Sequence, residues 1–259
     1  MAEEPEEENK GAGLAPSLLP PANEKERGIP IRTRRKLTGC RVWFFDLDDT
    51  LHEASPAIFA AIDVRMTDFV RRRLDLTREQ ADRLRLDYWR RYGATMLGLV
   101  RHHGVDPHQF LRETHDFRVE PLMRAERGLA RMLSRLPGRK VLLTNAPGAY
   151  AGQVLRHLGL HRHIRVRYSI ERLRLHGQFR PKPSTAMLRV VLAREGLAGR
   201  ANAGRAVLVD DSSINLKSAR AAGFSTVLRI GPVARRPLAG AAFVDARVRT
   251  LRQLSRLLG

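Results

Sequence analysis

Four short apolar runs set the terms for this chain. They are Arg41-Val42-Trp43-Phe44-Phe45-Asp46, Lys140-Val141-Leu142-Leu143-Thr144, Ala206-Val207-Leu208-Val209-Asp210 and Ser225-Thr226-Val227-Leu228. Each is continuous and too brief for a helix. An apolar run without alternation fits a strand covered on both faces, as in a parallel sheet. Helical spacing fills the intervals at 149–158, 184–195 and 214–222, the last ending at Gly223, a residue suited to closing a helix. Strands alternating with helices predict a doubly wound α/β core.

Three segments depart from that alternation. Residues 1–38 are rich in Glu, Pro, Gly and Ala and carry seven acidic and seven basic groups, which reads as a disordered lead-in. Between the first two strands the pattern is helical only. Phe59, Ile62, Met66, Phe69 and Val70 recur at helical spacing, followed by Leu84, Tyr88, Tyr92 and Met96, then Phe110 and Leu111. The expected organisation is a core of residues 39–54 and 130–259 with a helical insertion at 55–129. Residues 248–258 are expected to close the chain as an amphipathic helix.

In an open parallel sheet, ligands sit outside the carboxyl ends of the strands. Here those ends carry Asp46-Leu47-Asp48-Asp49-Thr50-Leu51, Thr144-Asn145 and Asp210-Asp211-Ser212. Gathered carboxylates repel one another and call for a hard divalent cation with oxygen ligands, Mg²⁺ above all. No His or Cys joins them, which argues against zinc. Lys182 sits in Arg180-Pro181-Lys182-Pro183, between two prolines that stiffen its turn and place its charge.

This ordered set resembles the four motifs of the haloacid-dehalogenase (HAD) superfamily, over about 85% of the chain from Arg41 onward. The motifs are Phe45-Asp46-Leu47-Asp48-Asp49-Thr50-Leu51, Leu143-Thr144-Asn145, Lys182-Pro183, and Val209-Asp210-Asp211-Ser212 with Asn215. The helical insertion is similar to the C1 cap of subfamily I. Tyr92-Gly93-Ala94-Thr95-Met96-Leu97-Gly98-Leu99, His103-Gly104-Val105-Asp106-Pro107 and Thr144-Asn145-Ala146-Pro147 further resemble the pyrimidine 5′-nucleotidase-like group.

The resemblance implies a HAD-like Rossmannoid core with a helical cap, and a Mg²⁺-dependent phosphatase that works through an aspartyl-phosphate. Asp46 would be the nucleophile and Asp48 the acid and base, its pKa raised by the neighbouring carboxylates. The metal would be held by Asp46, the Asp48 main-chain carbonyl and the Asp210-Asp211 pair, with Asp211 favoured for direct contact. Thr144 and the Asn145 backbone would bind phosphate with Lys182. Asn215 would support the acidic pair, and Asp49 and Thr50 would cap and orient the loop. Tyr92, Thr95 and His103 of the cap are candidates for substrate contact or for helix packing. His102, His103 and His108 lack the carboxylate support a metal site would need.

The implied substrate is a small phosphomonoester, a pyrimidine nucleoside 5′-monophosphate before a sugar phosphate or phosphoglycolate. A 2-haloacid dehalogenase needs neither Asp48 nor Asp210-Asp211. The net charge of +20, from 47 basic and 27 acidic residues, leaves a nucleic-acid binder on the same scaffold as a different class of reading. Of the 47, however, 41 are arginines scattered along the chain, so specific nucleic-acid binding is not expected. One cysteine, Cys40, excludes an internal disulfide, and no apolar run reaches the ~20 residues of a membrane span. The acidic first residues are wrong for a secretory signal, so the expected setting is the cytoplasm, as a monomer or homodimer.

Overall fold

The computed structural model describes residues 32–33, 37, 39–54, 57–199, 202, 204–231 and 242–258. Residues 1–31 of the expected lead-in lie outside them. The predicted strands form β2 (Val42–Phe45), β3 (Arg139–Leu143), β7 (Ala206–Asp210) and β8 (Ser225–Arg229). With β1 (Arg32–Thr33), β4 (Val166–Tyr168) and β9 (Ala246–Val248) they build one sheet in the order β1-β9-β8-β7-β2-β3-β4. All neighbours are parallel except β1, which runs antiparallel along β9.

Alternation along β2 shows why the run is apolar throughout. Trp43 and Phe45 enter one core with Leu142, Val207 and Val209, while Val42 and Phe44 enter the opposite core with Val141, Leu143 and Leu208. The first core is covered by α5 (Leu129–Arg135) and α6 (Gly148–His157), the second by α7 (Thr185–Arg194) and α8 (Ser213–Ala222). Ser184 and Ser212 cap α7 and α8 by accepting backbone N–H groups, and Gly223 closes α8 at φ 113°.

The inserted segment is α1 (Ala57–Leu74), α2 (Arg78–Tyr92), α3 (Thr95–His103) and α4 (Pro107–His115). Its own apolar centre joins Phe69, Val70, Tyr88, Met96, Leu99, Phe110 and Leu111. Ile170 and Phe179 from the core side complete it, Phe179 lying on the hairpin of β5 (Arg174–Leu175) and β6 (Gln178–Phe179). Insert and core therefore share apolar packing. No described helix is long and apolar enough to cross a membrane.

Two expectations need correction. The ordered core begins before residue 39: Arg32–Thr33 pair with β9, and Leu37 is buried, its N–H donating to Leu257 O at 2.8 Å. The chain end is also not one α-helix. Val248 closes β9, and a 3₁₀ helix, Leu251–Leu257, follows Thr250. Leu251, Leu254 and Leu257 are all buried, and a three-residue period puts all of them on one face of a 3₁₀ helix.

Two helices of the insert meet closely at Gly98, where an added Cβ would lie 2.2 Å from Tyr88 Cγ. Gly98→Ala should therefore cost about 1–3 kcal/mol, the usual range for overpacking, and lower Tm by roughly 2–4 °C per kcal/mol in a thermal scan. An unchanged Tm would contradict this helix crossing.

Candidate active site

The sheet delivers its functional groups to one edge. Asp46 follows β2, Thr144 and Asn145 follow β3, Asp210 ends β7, and Lys182 stands just ahead of α7. Lys182 is 3% exposed, and its Nζ lies 2.9 Å from Asp46 Oδ1 and 2.7 Å from Asp210 Oδ2. Asp210 is fully buried and heavily bonded. It accepts the Ser212 N–H at 2.8 Å and the Asn215 side-chain amide at 3.1 and 3.2 Å. The Asn215 amide thus reaches both carboxylate oxygens of Asp210. Asp46 accepts the N–H of Leu47 at 2.8 Å.

One carboxylate oxygen from each of Asp46, Asp210 and Asp211 falls within 4.8 Å of the others. Among the described residues this is the one such cluster. Its charge is undercompensated by Lys182 alone. Burial and the neighbouring Asp210 push the Asp46 carboxyl up to about 7, although Lys182 opposes the shift. Asp211, exposed just beyond β7, is raised to about 8 by desolvation and by the neighbouring Asp210 and Asp46. Burial alone would lower the Lys182 pKa, but Asp210 and Asp46 outweigh it and hold the ammonium charged. An all-oxygen set that keeps protons at neutral pH for want of positive charge fits a hard divalent cation.

Asp48 behaves differently from the expectation. Its carboxyl lies below the usual range, not above it. Burial does push it up, but the His52 Nε2 at 3.0 Å and the Tyr150 hydroxyl at 2.6 Å both bond its Oδ1 and outweigh that push. Neither His52 nor Tyr150 was singled out from the sequence. His52 sits in the same loop as the acidic motif and is 2% exposed, while Tyr150 lies in the first turn of α6 and is 1% exposed. A third group, His115 at the end of α4, packs its ring edge-on to Tyr150 with centroids 5.5 Å apart. Burial lowers its pKa. The available signal was a polar side chain within an apolar helix, or one His beyond the acidic run, and each is common without function.

Asn145 has a task the sequence did not specify. Its side-chain oxygen accepts the Lys182 N–H and its amide donates to the Lys182 carbonyl, both at 2.9 Å. This clamp fixes the backbone under the buried ammonium. Thr144 is buried, and its Oγ1 accepts the Ala146 N–H at 3.0 Å. Thr50 Oγ1 is buried with no hydrogen-bond partner among the described residues. Asp49, at φ 56°, accepts the Ala54 N–H at 2.8 Å and so ties the loop.

The polar cap candidates have partners within the cap. The Tyr88 hydroxyl pairs with His103 at 2.7 Å, Tyr92 pairs with His102, and Thr95 donates to the Arg85 carbonyl at 3.0 Å. His108 faces the Phe179 ring at 6.2 Å. These contacts explain the residues as packing.

Comparison with known proteins agrees with this geometry. Residues 40–223 match the pattern of the haloacid dehalogenase-like hydrolases. Phosphate metabolism protein 8 of Saccharomyces cerevisiae is 23% identical over 202 residues, a span covering 73% of this chain and 61% of that protein. The chain thus spans about three fifths of that relative's length. Among solved structures, the HAD phosphatase of Thermococcus onnurineus superposes with a TM-score of 0.57 at 22% identity, covering 85% of this chain and 98% of that one. The HAD-hydrolase YfnB of Bacillus subtilis, bound to magnesium, gives 0.55 at 16% identity, covering 85% and 99%. The strand-end carboxylates, the buried lysine and the helical insertion are parts of one hydrolase architecture, and the chain belongs to the haloacid dehalogenase-like hydrolase family.

Proposed function

We propose that this hydrolase is a Mg²⁺-dependent phosphomonoesterase with Asp46 as nucleophile, acting on pyrimidine nucleoside 5′-monophosphates. The observation that carries the reading is the Asp46–Lys182–Asp210 bridge with Asp211 beside it, an arrangement suited to a small phosphate ester and a divalent cation. The choice of nucleotide rests on the cap sequence 92–99 and on His103 to Pro107, whose resemblance is to pyrimidine nucleotidases. A sugar phosphate or phosphoglycolate would suit the same core. Dehalogenation uses neither an acid at Asp48 nor the Asp210-Asp211 pair.

In the first half-reaction an Asp46 oxygen bonds to phosphorus while the bond to the leaving oxygen breaks. Asp48 gives that oxygen a proton. Because His52 and Tyr150 keep Asp48 ionised at rest, the proton arrives with the substrate, whose phosphate has a second pKa near about 6. In the second half Asp48 takes a proton from water as the water attacks phosphorus and Asp46 leaves. Thr144, the Asn145 backbone and Lys182 hold the phosphoryl oxygens throughout. Mg²⁺ would be held by Asp46, the Asp48 carbonyl, Asp211 and Asp210, and when bound would supply charge neutralisation on those oxygens.

Metal binding should be linked to pH. Mg²⁺ displaces the protons held on Asp46 near 7 and on Asp211 near 8, so its affinity should rise between pH 6 and 9, by up to about tenfold per unit for each proton displaced. In the metal-free chain these two carboxyls bind more protons folded than unfolded in this range, so their contribution to stability falls as pH rises from about 4 towards 8. Added Mg²⁺ should therefore raise Tm more at pH 8.5 than at pH 6. An equal or smaller gain at the higher pH would count against the assignment.

Function itself is tested by phosphate release from a panel of monoesters with and without Mg²⁺. UMP and CMP should be cleaved faster than AMP, sugar phosphates and phosphoglycolate, only with metal, and Asp46→Asn should lose at least about 10³-fold. A preference for sugar phosphates would remove the nucleotidase reading. Full activity of Asp46→Asn would remove the mechanism.

A further inference from the structure

Asp48 is held by two donors that come from different parts of the fold. His52 belongs to the loop after β2, and Tyr150 to α6 after β3. Both bond the same oxygen, Oδ1, and the Asp48 side chain retains 17% exposure while that of His52 has none. An oxygen with two fixed donors cannot rotate without breaking one of them, so a single carboxylate orientation is selected.

Tyr150 is itself seated. Its ring is buried in the core packing around Phe45, Leu47 and Leu51, and the His115 ring of the insert closes on its edge. His115 is fixed in turn, with its Nδ1 3.1 Å from the Leu111 carbonyl and 2.9 Å from the Thr114 hydroxyl. A line of contacts therefore runs from α4 of the insert through Tyr150 to the carboxylate of Asp48.

We infer that Tyr150 is the positioning residue for proton transfer by Asp48, holding Oδ1 together with His52 so that Oδ2 is presented to the leaving oxygen. His115 keeps Tyr150 in place, which ties the acid to the docked position of the insert. This inference rests on the proposed function, because it concerns the first half-reaction at the same site. A bond forms between Asp46 and phosphorus, the ester P–O bond breaks, and the proton that the monoanionic ester has brought to Oδ2 passes to the departing alkoxide. Tyr150 gives up no proton.

The test compares kcat/KM, which reports the phosphorylation half, for two leaving groups in the Mg²⁺-loaded full chain. p-Nitrophenolate departs without a proton, whereas the alkoxide of a nucleoside 5′-phosphate or glycerol phosphate needs one. Tyr150→Phe keeps the buried ring and removes only the hydroxyl. It should lower kcat/KM for the alkyl ester by about 10–100-fold and for p-nitrophenyl phosphate by less than about threefold, a share of what a positioned acid contributes. The ratio of the two rates is independent of the fraction folded. His115→Ala should shift that ratio in the same direction by a smaller factor. Equal losses on both esters, no loss, or a faster Tyr150→Phe on the alkyl ester would overturn the inference, the last by showing that the two bonds park Asp48 away from its work. Asp46→Asn serves as the control. If it fails to abolish turnover of both esters, the proposed function falls and takes this inference with it, an outcome distinct from an unaltered Tyr150→Phe.

Discussion

A single buried ammonium organises the molecule. Lys182 neutralises carboxylates from two adjacent strands, Asp46 after β2 and Asp210 at the end of β7. At an effective dielectric near 20, two unit charges about 4 Å apart interact by about 4 kcal/mol, so three clustered carboxylates without a cation would oppose sheet closure. Buried ions demand good geometry and satisfied hydrogen bonds, and the surroundings provide both. Asn145 grips the Lys182 backbone on both sides, while Ser212 and Asn215 saturate Asp210. One cation does not balance three carboxylates. The deficit appears as the raised pKa values of Asp46 and Asp211, and it is the reason a divalent cation has somewhere to bind.

The insert completes a site that the sheet alone leaves open. Its apolar centre recruits Ile170 and Phe179 from the core side, and its last helix brings His115 against Tyr150. Three of the acids around the crevice then fall into two kinds. Asp46 and Asp211 are held by too little positive charge and retain protons. Asp48 is held by two donors and gives its proton up. Groups pushed apart in this way commonly divide the roles of a hydrolytic site.

Much of this was legible in the sequence, for physical reasons. The strands covered on both faces were visible because β2, β3, β7 and β8 are continuously apolar, and the chemistry was visible because parallel strands leave their ends at one edge. The shorter strands were not. Arg32–Thr33 and Ala246–Val248 are too short and too charged to show a pattern, and only pairing between distant segments makes them strands. The closing segment carries leucines at a spacing that serves both α and 3₁₀ geometry, and packing decided between them. The sign of the Asp48 shift was inaccessible for the same kind of reason. Counting nearby carboxylates predicts a raised pKa, while of the two groups that reverse it His52 turns back onto Asp48 within the same loop and Tyr150 reaches it only once α6 has docked on the sheet.

The central claim is that Asp46 becomes covalently phosphorylated. Asp48→Asn incubated with Mg²⁺ and p-nitrophenyl phosphate tests it most directly, since this leaving group needs no acid while hydrolysis of the adduct needs the missing base. Rapid acid quench and peptide mass analysis should find the mass of one phosphoryl group on the segment containing Asp46, removable by hydroxylamine and absent when Asp46 is Asn. Steady release of p-nitrophenol and phosphate with Asp46 unmodified at every time point would contradict the account.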